Sequence, residues 1–177
     1  MELKGTRTEA NLWTAFAGES QARNKYTYWS SQAVKEGYEQ IAGIFLDTAD
    51  NEKEHAKLLF KLVDGISTTA EHLKQAAAGE NHEWTSMYKE FAQAAKEEGF
   101  EHIARIFTEI GEVEEAHEQR YLALLEQVQA GRVFVRDEEV KWHCRNCGYI
   151  HSGKEAPKVC PACAHPQAFY EVLCTNY

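Results

Sequence analysis

Two Glu-x-x-His tetrads occupy matching places in the two halves of this 177-residue chain. The first runs from Glu52 to His55, and the second, 62 positions later, runs from Glu114 to His117. The i, i+3 spacing places both side chains on one helical face, so they reach the same site. An ionised carboxylate is costly to bury unpaired, and a divalent metal removes that cost. The tetrads therefore predict a pair of bound metal ions.

Each tetrad interrupts an apolar series whose members are spaced alternately four and three residues apart. Such a series marks the inward seam of a helix in a bundle. A single tetrad is weak evidence, because most such pairs are exposed salt bridges, but here it recurs at the same steps of two seams. The seams are Ile41, Phe45, Thr48, Glu52, His55, Leu59 and Leu62, and Ile103, Phe107, Ile110, Glu114, His117, Tyr121 and Leu124.

The tetrads belong to an internal repeat, since residues 36–45 return in similar form as residues 98–107. A duplicated two-helix hairpin folded against its copy gives a four-helix bundle with near-twofold symmetry. We expect helices at about residues 6–35, 38–64, 68–97 and 100–130. Their boundary signals are capping boxes at Thr6-x-x-Glu9 and Thr68-x-x-Glu71, turn glycines Gly37 and Gly99, and a stop at Asp64-Gly65.

The first helix of each hairpin supplies further candidate ligands. Glu19 and Glu80 correspond at an offset of 61, whereas Tyr26 and Tyr88 correspond at 62. One residue has therefore been gained before Tyr88, in a step that contains Glu83. Single-residue insertions within helices tend to form π-bulges near functional sites, so we predict a local distortion near residues 80–88. The alternative for Glu83 is a side chain that only solvates the helix.

The composition changes after Gly131, where helical periodicity stops and two Cys-x-x-Cys knuckles appear. Cys144 with Cys147 and Cys160 with Cys163 predict a tetrahedral four-thiolate metal site. A segment of about 44 residues forms too small an apolar core to fold unless a bound metal cross-links it. Disulfides are disfavoured, because the cysteine count is odd and no signal peptide is apparent. We divide the chain into a helical domain, 1–133, and a β-rich metal domain, 134–177, with short strands near 140–143 and 169–173.

The cysteine spacing alone does not choose between iron and zinc, since tetrahedral sulfur sites accept either. On geometry alone structural zinc is favoured, because zinc ribbons are common. The neighbouring di-metal site favours iron, because a one-electron iron–thiolate centre beside a di-iron site makes a short electron chain. A fifth cysteine, Cys174, is expected to be packed or inert.

The charge and hydropathy of the sequence exclude several classes of binding partner. The formal net charge is −9, which argues against nucleic acid or an anionic membrane as a partner. No apolar run approaches the roughly 18 residues that span a bilayer. No Gly-rich dinucleotide fingerprint is present, so NADH is not expected to bind this chain directly. We expect a cytoplasmic protein.

Several stretches resemble rubrerythrin over essentially the whole chain: Ala15 to Tyr26, Glu52 to Ala56, Ala78 to Trp84, and both cysteine knuckles. The resemblance implies a mostly α fold, a ferritin-like four-helix bundle built from a duplicated hairpin, followed by a small β-rich rubredoxin-like domain. It also implies a di-iron site in the bundle and an iron held by the four cysteines.

The resemblance also implies roles for individual residues. Glu52 and Glu114 would bridge the irons, and Glu19 and Glu80 would be terminal ligands. One iron would exchange Glu83 for His55 with redox state. Tyr26 and Tyr88 would donate to ligand carboxylates, with ordinary packing as the alternative. The implied di-iron ligands are Glu19, Glu52, His55, Glu80, Glu83, Glu114 and His117.

The implied activity is reduction of hydrogen peroxide to water in oxidative-stress defence. Electrons would pass through the four-cysteine iron from NADH, by way of a separate reductase or rubredoxin. A homodimer is implied, in which the rubredoxin-like domain of one subunit approaches the di-iron site of the other. Two alternatives stay open: a ferroxidase or iron-handling protein, which has no need of an electron-delivery domain, and a non-enzymatic bundle with a structural zinc ribbon.

Overall fold

The computed structural model describes residues 2–176. It divides between Thr68 and Thr69 into two compact units, each described here by itself. None of the described helices combines the length and apolar character needed to cross a bilayer. The division separates the two halves of the repeat, so it does not test the expected domain boundary at 133/134, which stays a prediction.

The first unit is an α-hairpin of α1 (Arg7–Lys35) and α2 (Glu39–Leu62). Its start confirms the capping box, since the Glu9 N–H donates to Thr6 Oγ1 at 3.1 Å. The Glu9 carboxylate accepts from the Gly5 N–H at 2.6 Å, one residue earlier than in the usual box, because the Thr6 N–H is already bonded to the Leu3 carbonyl. The helices pack through buried small residues, which allow the backbones to approach closely, and Ser30 Oγ donates to the Ala42 carbonyl at 3.0 Å.

The second unit begins with the other α-hairpin. Its first helix is α3 (Thr69–His82), a π-helical turn (Glu83–Met87) and α4 (Tyr88–Glu97), and its second is α5 (Glu101–Gln129). The π-helical turn confirms the distortion predicted from the one-residue slip. The repeat is also visible in the packing, because buried Ala33 and Ala42 of the first hairpin have buried counterparts at Ala95 and Ala104.

The turns within the hairpins depend on left-handed residues. Gly37 and Gly99 have φ of 83° and 84°, a conformation that favours glycine. At the end of α2 it is Asp64, not Gly65, that is left-handed, with φ 55°. Gly65 is needed for a different reason: a Cβ there would collide with the Phe60 ring. The expected stop at Asp64-Gly65 is confirmed, with Asp64 as its left-handed residue.

The second unit ends in a three-stranded antiparallel sheet of order β2-β1-β3. Its strands are β1 (Val135–Cys144), β2 (Ile150–Glu155) and β3 (Tyr170–Val172), with a 3₁₀ turn at Gln167–Phe169. The predicted strands near 140–143 and 169–173 are confirmed, but β2 was not predicted. It is mostly polar and contains Gly153, and it is fixed by pairing with β1 and by Trp142 Nε1, which donates to the Gly153 carbonyl at 2.9 Å.

The core of the sheet region is small. Its buried members are Trp142, Cys144, Ala156, Cys160 and Tyr170, so two of the five are candidate metal ligands. A core of this size supports folding only when a bound metal or another cross-link stabilises it. The mostly helical chain with a small antiparallel sheet confirms the expected fold class.

Candidate metal centres

The first hairpin gathers three candidate ligands. One donor atom each from Glu19, Glu52 and His55 lies within 4.8 Å of the others. His55 Nδ1 lies 2.8 Å from Glu52 Oε2, as expected for an i, i+3 pair on one helical face. The carboxylate of Glu52 is mostly covered, with 16% of its side chain exposed, whereas 60% of His55 is exposed.

The second hairpin gathers the corresponding set of Glu80, Glu114 and His117, also within 4.8 Å. His117 Nδ1 lies 2.6 Å from Glu114 Oε2 and 3.7 Å from Glu80 Oε1. Burial raises the pKa of Glu80, and the charges of Glu114 and Glu83 raise it further. Such like-charge crowding is the arrangement that a bound cation relieves.

The π-helical turn brings Glu83 to the same site. Glu83 lies outside the three-residue cluster, but its charge acts on both Glu80 and Tyr88. Burial raises the pKa of Tyr88, followed by the charges of Glu83, Glu114 and Glu80. Tyr88 therefore keeps its proton at neutral pH beside three carboxylates.

The two tyrosines lie in matching aromatic clusters. Tyr26 packs at 5.4 Å from Trp29 and 6.1 Å from Phe45 between ring centroids. Tyr88 packs at 6.4 Å from Phe91 and 6.1 Å from Phe107. The clusters hold both tyrosine rings in place beside the candidate ligands.

Sequence reasoning missed a polar network that braces the π-helical turn. Glu118 of α5 accepts from Trp84 Nε1 at 2.6 Å and from Asn81 Nδ2 at 3.0 Å. Each of these residues directly follows a candidate ligand in the sequence. A signal was present, because the counterpart of Glu118 in the first repeat is Ala56, which cannot accept these bonds. The asymmetry of the repeat therefore extends from ligands to their supports.

The four knuckle cysteines converge on one point. Their sulfur atoms lie within 4.8 Å of one another, with 3.8 Å between Cys144 and Cys163 and 3.7 Å between Cys147 and Cys160. A tetrahedron with metal–sulfur bonds of about 2.3 Å has edges of about 3.8 Å. The sulfur positions therefore fit a single tetrahedral metal.

Hydrogen bonds in the two cysteine knuckles change the pKa values of the thiols. The His165 N–H lowers the pKa of the Cys163 thiol to about 6, with help from Cys147 and Asn146. The Tyr149 N–H lowers the pKa of Cys147, but neighbouring thiols and burial raise it more, to about 12. The pKa of Cys160 is also lowered, because the Tyr170 hydroxyl and the hydrogen bonds from the Ala162 and Cys163 N–H groups outweigh its burial. Lowered thiol pKa values favour the thiolates that a metal binds.

A buried tyrosine hydroxyl lies beside the same cluster. Within residues 2–176, the Tyr170 hydroxyl has no hydrogen-bond partner of good geometry. Burial raises the pKa of Tyr170, and the Cys160 sulfur beside it raises it further. A donor beside a sulfur suits a thiolate that carries charge when metal is bound. Cys174 is exposed and 3.4 Å from Asn176 Oδ1, so it is not packed and lies outside the cluster.

Comparison with known proteins agrees with this site chemistry. The family model for rubrerythrin matches residues 10–125, and the model described as the rubrerythrin rubredoxin-like domain matches residues 142–171. Rubrerythrin of Porphyromonas gingivalis is 56% identical over 188 residues, covering 99% of this chain and 94% of that protein. Rubrerythrin of Nitratidesulfovibrio vulgaris is 52% identical over 188 residues, covering 99% and 98%. Rubrerythrin-1 of Clostridium acetobutylicum is 51% identical over 192 residues, with the same coverage.

These matches and the cysteine cluster confirm the cofactors expected from the sequence. They are a rubrerythrin di-iron site and a rubredoxin-like iron held by Cys144, Cys147, Cys160 and Cys163. The carboxylate and imidazole donors of the two hairpins have the chemistry that a di-iron site of this class requires.

Proposed function

This chain belongs to the rubrerythrin family, and we propose that it is a non-haem di-iron peroxidase that reduces hydrogen peroxide to water. Family membership makes it an iron-dependent oxidoreductase of oxidative-stress defence; the reaction is our proposal. The observation that carries it is the presence, in one chain, of two Glu/His donor sets and a four-cysteine cluster. An iron-storage protein needs no electron-delivery domain. A peroxidase that turns over repeatedly needs one, because its irons must be reduced again after each reaction.

We assign the di-iron ligands from both hairpins. Glu52 and Glu114, one from each donor set, would be the carboxylates shared by the two irons when these are bound. Glu19 and Glu80 are terminal ligands. The complete proposed set is Glu19, Glu52, His55, Glu80, Glu83, Glu114 and His117.

Peroxide reduction consumes two electrons and two protons for each oxygen–oxygen bond that is cleaved to two waters. When bound, a ferrous pair supplies both electrons at once, and the four-cysteine iron returns them singly. The chain itself positions a proton donor: Tyr88 keeps its hydroxyl proton beside Glu80, Glu83 and Glu114. We propose that this hydroxyl would donate a hydrogen bond to a ligand carboxylate and so orient it. Tyr26 is proposed for the same role at Glu19 and Glu52.

The two histidines are proposed to differ in function. His117 Nδ1 lies 2.6 Å from Glu114 and 3.7 Å from Glu80, and 35% of the His117 side chain is exposed. His55 Nδ1 lies 2.8 Å from Glu52, and 60% of the His55 side chain is exposed. The greater exposure of His55 supports the proposal that His55 and Glu83 would alternate as ligands with redox state. His117 would be a ligand in both states.

Electrons are proposed to reach the four cysteines from a separate reductase or rubredoxin that oxidises NADH. A homodimer is proposed for transfer from the rubredoxin-like domain of one subunit to the di-iron site of the other. A cytoplasmic location is part of the proposal, because a four-thiolate metal site suits a compartment in which thiols stay reduced.

Two substitutions test the proposal by separating the centres. Glu114→Ala is expected to abolish peroxide turnover and leave the red colour of the four-cysteine iron. Cys160→Ser is expected to remove that colour and stop turnover with the electron donor, while the chemically reduced protein still consumes peroxide once. Glu109→Ala, an exposed carboxylate on the same helix as Glu114, is the matched control and should retain activity. Undiminished turnover in Glu114→Ala would overturn the assignment.

A further inference from the structure

Tyr170 lies at the start of β3, directly opposite Cys144 of β1. Residues that face each other across an antiparallel pair carry their side chains on the same face of the sheet. The Arg145 N–H donates to the Phe169 carbonyl at 2.8 Å and helps to hold the two strands in this register. The strand pairing therefore directs the Tyr170 side chain to the face of the sheet that carries the Cys144 sulfur.

The hydroxyl of this tyrosine is buried without a partner of good geometry. Only 4% of Tyr170 is exposed, and within residues 2–176 its hydroxyl makes no hydrogen bond. The ring packs in the small core that contains Trp142, Cys144 and Cys160. A phenylalanine would fill the same space without burying a polar atom, and a buried hydroxyl that stays unpaired destabilises the fold. The buried hydroxyl is explained if it meets a charged sulfur once the cysteines hold their metal.

The sulfur of Cys160 is the candidate partner, since Cys160 is buried beside Tyr170 in the same core. Burial raises the pKa of Tyr170, and the Cys160 sulfur raises it further. The Tyr170 hydroxyl in turn lowers the pKa of the Cys160 thiol, against the effect of burial. These opposite directions are those expected for an O–H donor beside a thiolate. Metal binding removes the thiol proton, so the sulfur of the loaded centre is a better acceptor than the free thiol.

The two knuckles hold their cysteines with matching backbone hydrogen bonds. The Gly148 N–H donates to the Cys144 carbonyl at 2.8 Å, and the Ala164 N–H donates to the Cys160 carbonyl at 2.9 Å. The N–H groups of Cys144 and Cys160 donate to the carbonyls five positions later, at 2.9 Å and 2.8 Å. Because this backbone frame is duplicated, the Tyr170 hydroxyl is an addition to it that breaks the likeness of the two knuckles on the side of Cys160.

We propose that the Tyr170 hydroxyl donates a hydrogen bond to the Cys160 sulfur of the iron-loaded centre and thereby raises its reduction potential. Four thiolates around a ferric ion carry one net negative charge, and around a ferrous ion they carry two. The added electron makes the sulfurs more negative, so a donor to sulfur stabilises the reduced state more than the oxidised state. Tyr170 thus acts on the iron through its ligand. This role rests on the proposed function, in which the centre delivers electrons, and adds a residue that sets how readily it accepts them.

Tyr170→Phe in the full iron-loaded chain tests this role, because it removes the hydroxyl and keeps the ring. The midpoint potential of the red centre is measured by reductive titration with redox mediators, in the absence of peroxide. Loss of the hydrogen bond should lower the equilibrium constant for reduction about tenfold, which for one electron is a fall of about 59 mV. The sulfur-to-iron absorption bands should move to longer wavelength, since a sulfur without the donor releases its electrons more readily. An unchanged or raised potential would overturn the assignment.

Tyr149→Phe is the matched control. Tyr149 is 36% exposed beside the first knuckle, and the substitution removes its hydroxyl while keeping the backbone N–H that acts on Cys147. The potential of this variant should equal that of the wild type. An equal fall in both variants would count against the assignment, because the loss of any nearby hydroxyl would then explain the shift.

A cadmium-loaded protein tests the hydrogen bond itself, including the case in which Tyr170→Phe does not fold or bind iron. Cadmium is a soft ion that four thiolates also hold. Proton NMR of the wild type should show a slowly exchanging hydroxyl proton with scalar coupling to the cadmium nucleus through the Cys160 sulfur. The same resonance should persist in Tyr149→Phe, which assigns it to Tyr170. A wild-type protein in which no hydroxyl proton couples to cadmium would refute the hydrogen bond.

Two results separate this role of Tyr170 from the proposed function. A wild-type protein that reduces peroxide, with a Tyr170→Phe variant that keeps the wild-type potential, would overturn the role of Tyr170 alone. A protein that does not reduce peroxide, but whose potential falls in Tyr170→Phe and not in Tyr149→Phe, would overturn the proposed function and support the role of Tyr170.

Discussion

Glu80 is the residue where burial and charge oppose each other most directly. Its carboxyl group is largely covered and lies close to Glu114 and Glu83, so its pKa is raised above the usual carboxyl value. A metal-free protein retains this unfavourable crowding, whereas bound iron neutralises it. The same residues therefore weaken the empty fold and strengthen the loaded one.

This conflict predicts a pH dependence for the metal-free protein. Glu80 binds its proton more tightly when folded than when unfolded, so its contribution to stability is full below the ordinary carboxyl pKa of about 4.3. That contribution is lost as the pH rises through the raised pKa of the folded state. Glu80→Gln should therefore reduce the fall in unfolding free energy between about pH 4 and 7. Denaturation of the metal-free protein, followed by circular dichroism, measures it, with Glu109→Gln as the exposed control. An unchanged pH profile in Glu80→Gln would contradict the prediction.

The two cysteine knuckles offer a second prediction at the residue scale. The residue after each knuckle is left-handed, but it is Gly148 (φ 79°) in the first and Ala164 (φ 58°) in the second. Ala164→Gly should stabilise the metal-bound domain by about 0.5–1 kcal/mol, because glycine removes the left-handed penalty and costs some chain entropy. Gly148→Ala, whose Cβ would meet nothing within 4 Å, should destabilise it by a similar amount. Thermal loss of the red colour reports both, and shifts of the same sign would be inconsistent with this explanation.

The structural elements differ in how well they could be predicted from the sequence. The π-helical turn at Glu83–Met87 was predictable, because one inserted residue must be absorbed where the two repeats lose register. Strand β2 was not, because its polar residues carry little β propensity and its position depends on pairing with β1. Glu118 was not predicted either, because its partners Trp84 and Asn81 belong to another helix, and contacts between helices depend on how the helices pack.

The brace at Glu118 predicts the behaviour of the π-helical turn. Glu118→Ala should lower the free energy of unfolding by about 1.5–3 kcal/mol, since it removes charged hydrogen bonds and leaves the Trp84 indole N–H without an acceptor. Glu118→Gln keeps an acceptor and should lose less. Denaturation monitored by tryptophan fluorescence and helical circular dichroism compares the two variants. An equal loss in both would show that the acceptor oxygen does not stabilise the turn.

At the scale of the whole molecule, the two donor chemistries predict the metal content. Two carboxylate–histidine half-sites and one four-cysteine site together should hold about three irons per chain, with a red colour that bleaches on reduction. Cys160→Ser should reduce this to about two irons and remove the colour. Metal analysis with visible spectroscopy measures both quantities. A colourless protein with one tightly held zinc would instead support a structural ribbon beside an idle bundle.

The most direct measurement is a single turnover of the fully reduced protein. Reduced protein is mixed anaerobically with hydrogen peroxide, and in parallel with dioxygen, while iron oxidation is followed by stopped-flow absorbance. The peroxidase reading predicts that one peroxide oxidises the two bundle irons of each site to give water, and that this reaction outpaces the one with dioxygen. Oxidation by dioxygen that is faster than oxidation by peroxide, or peroxide left unconsumed, would contradict it.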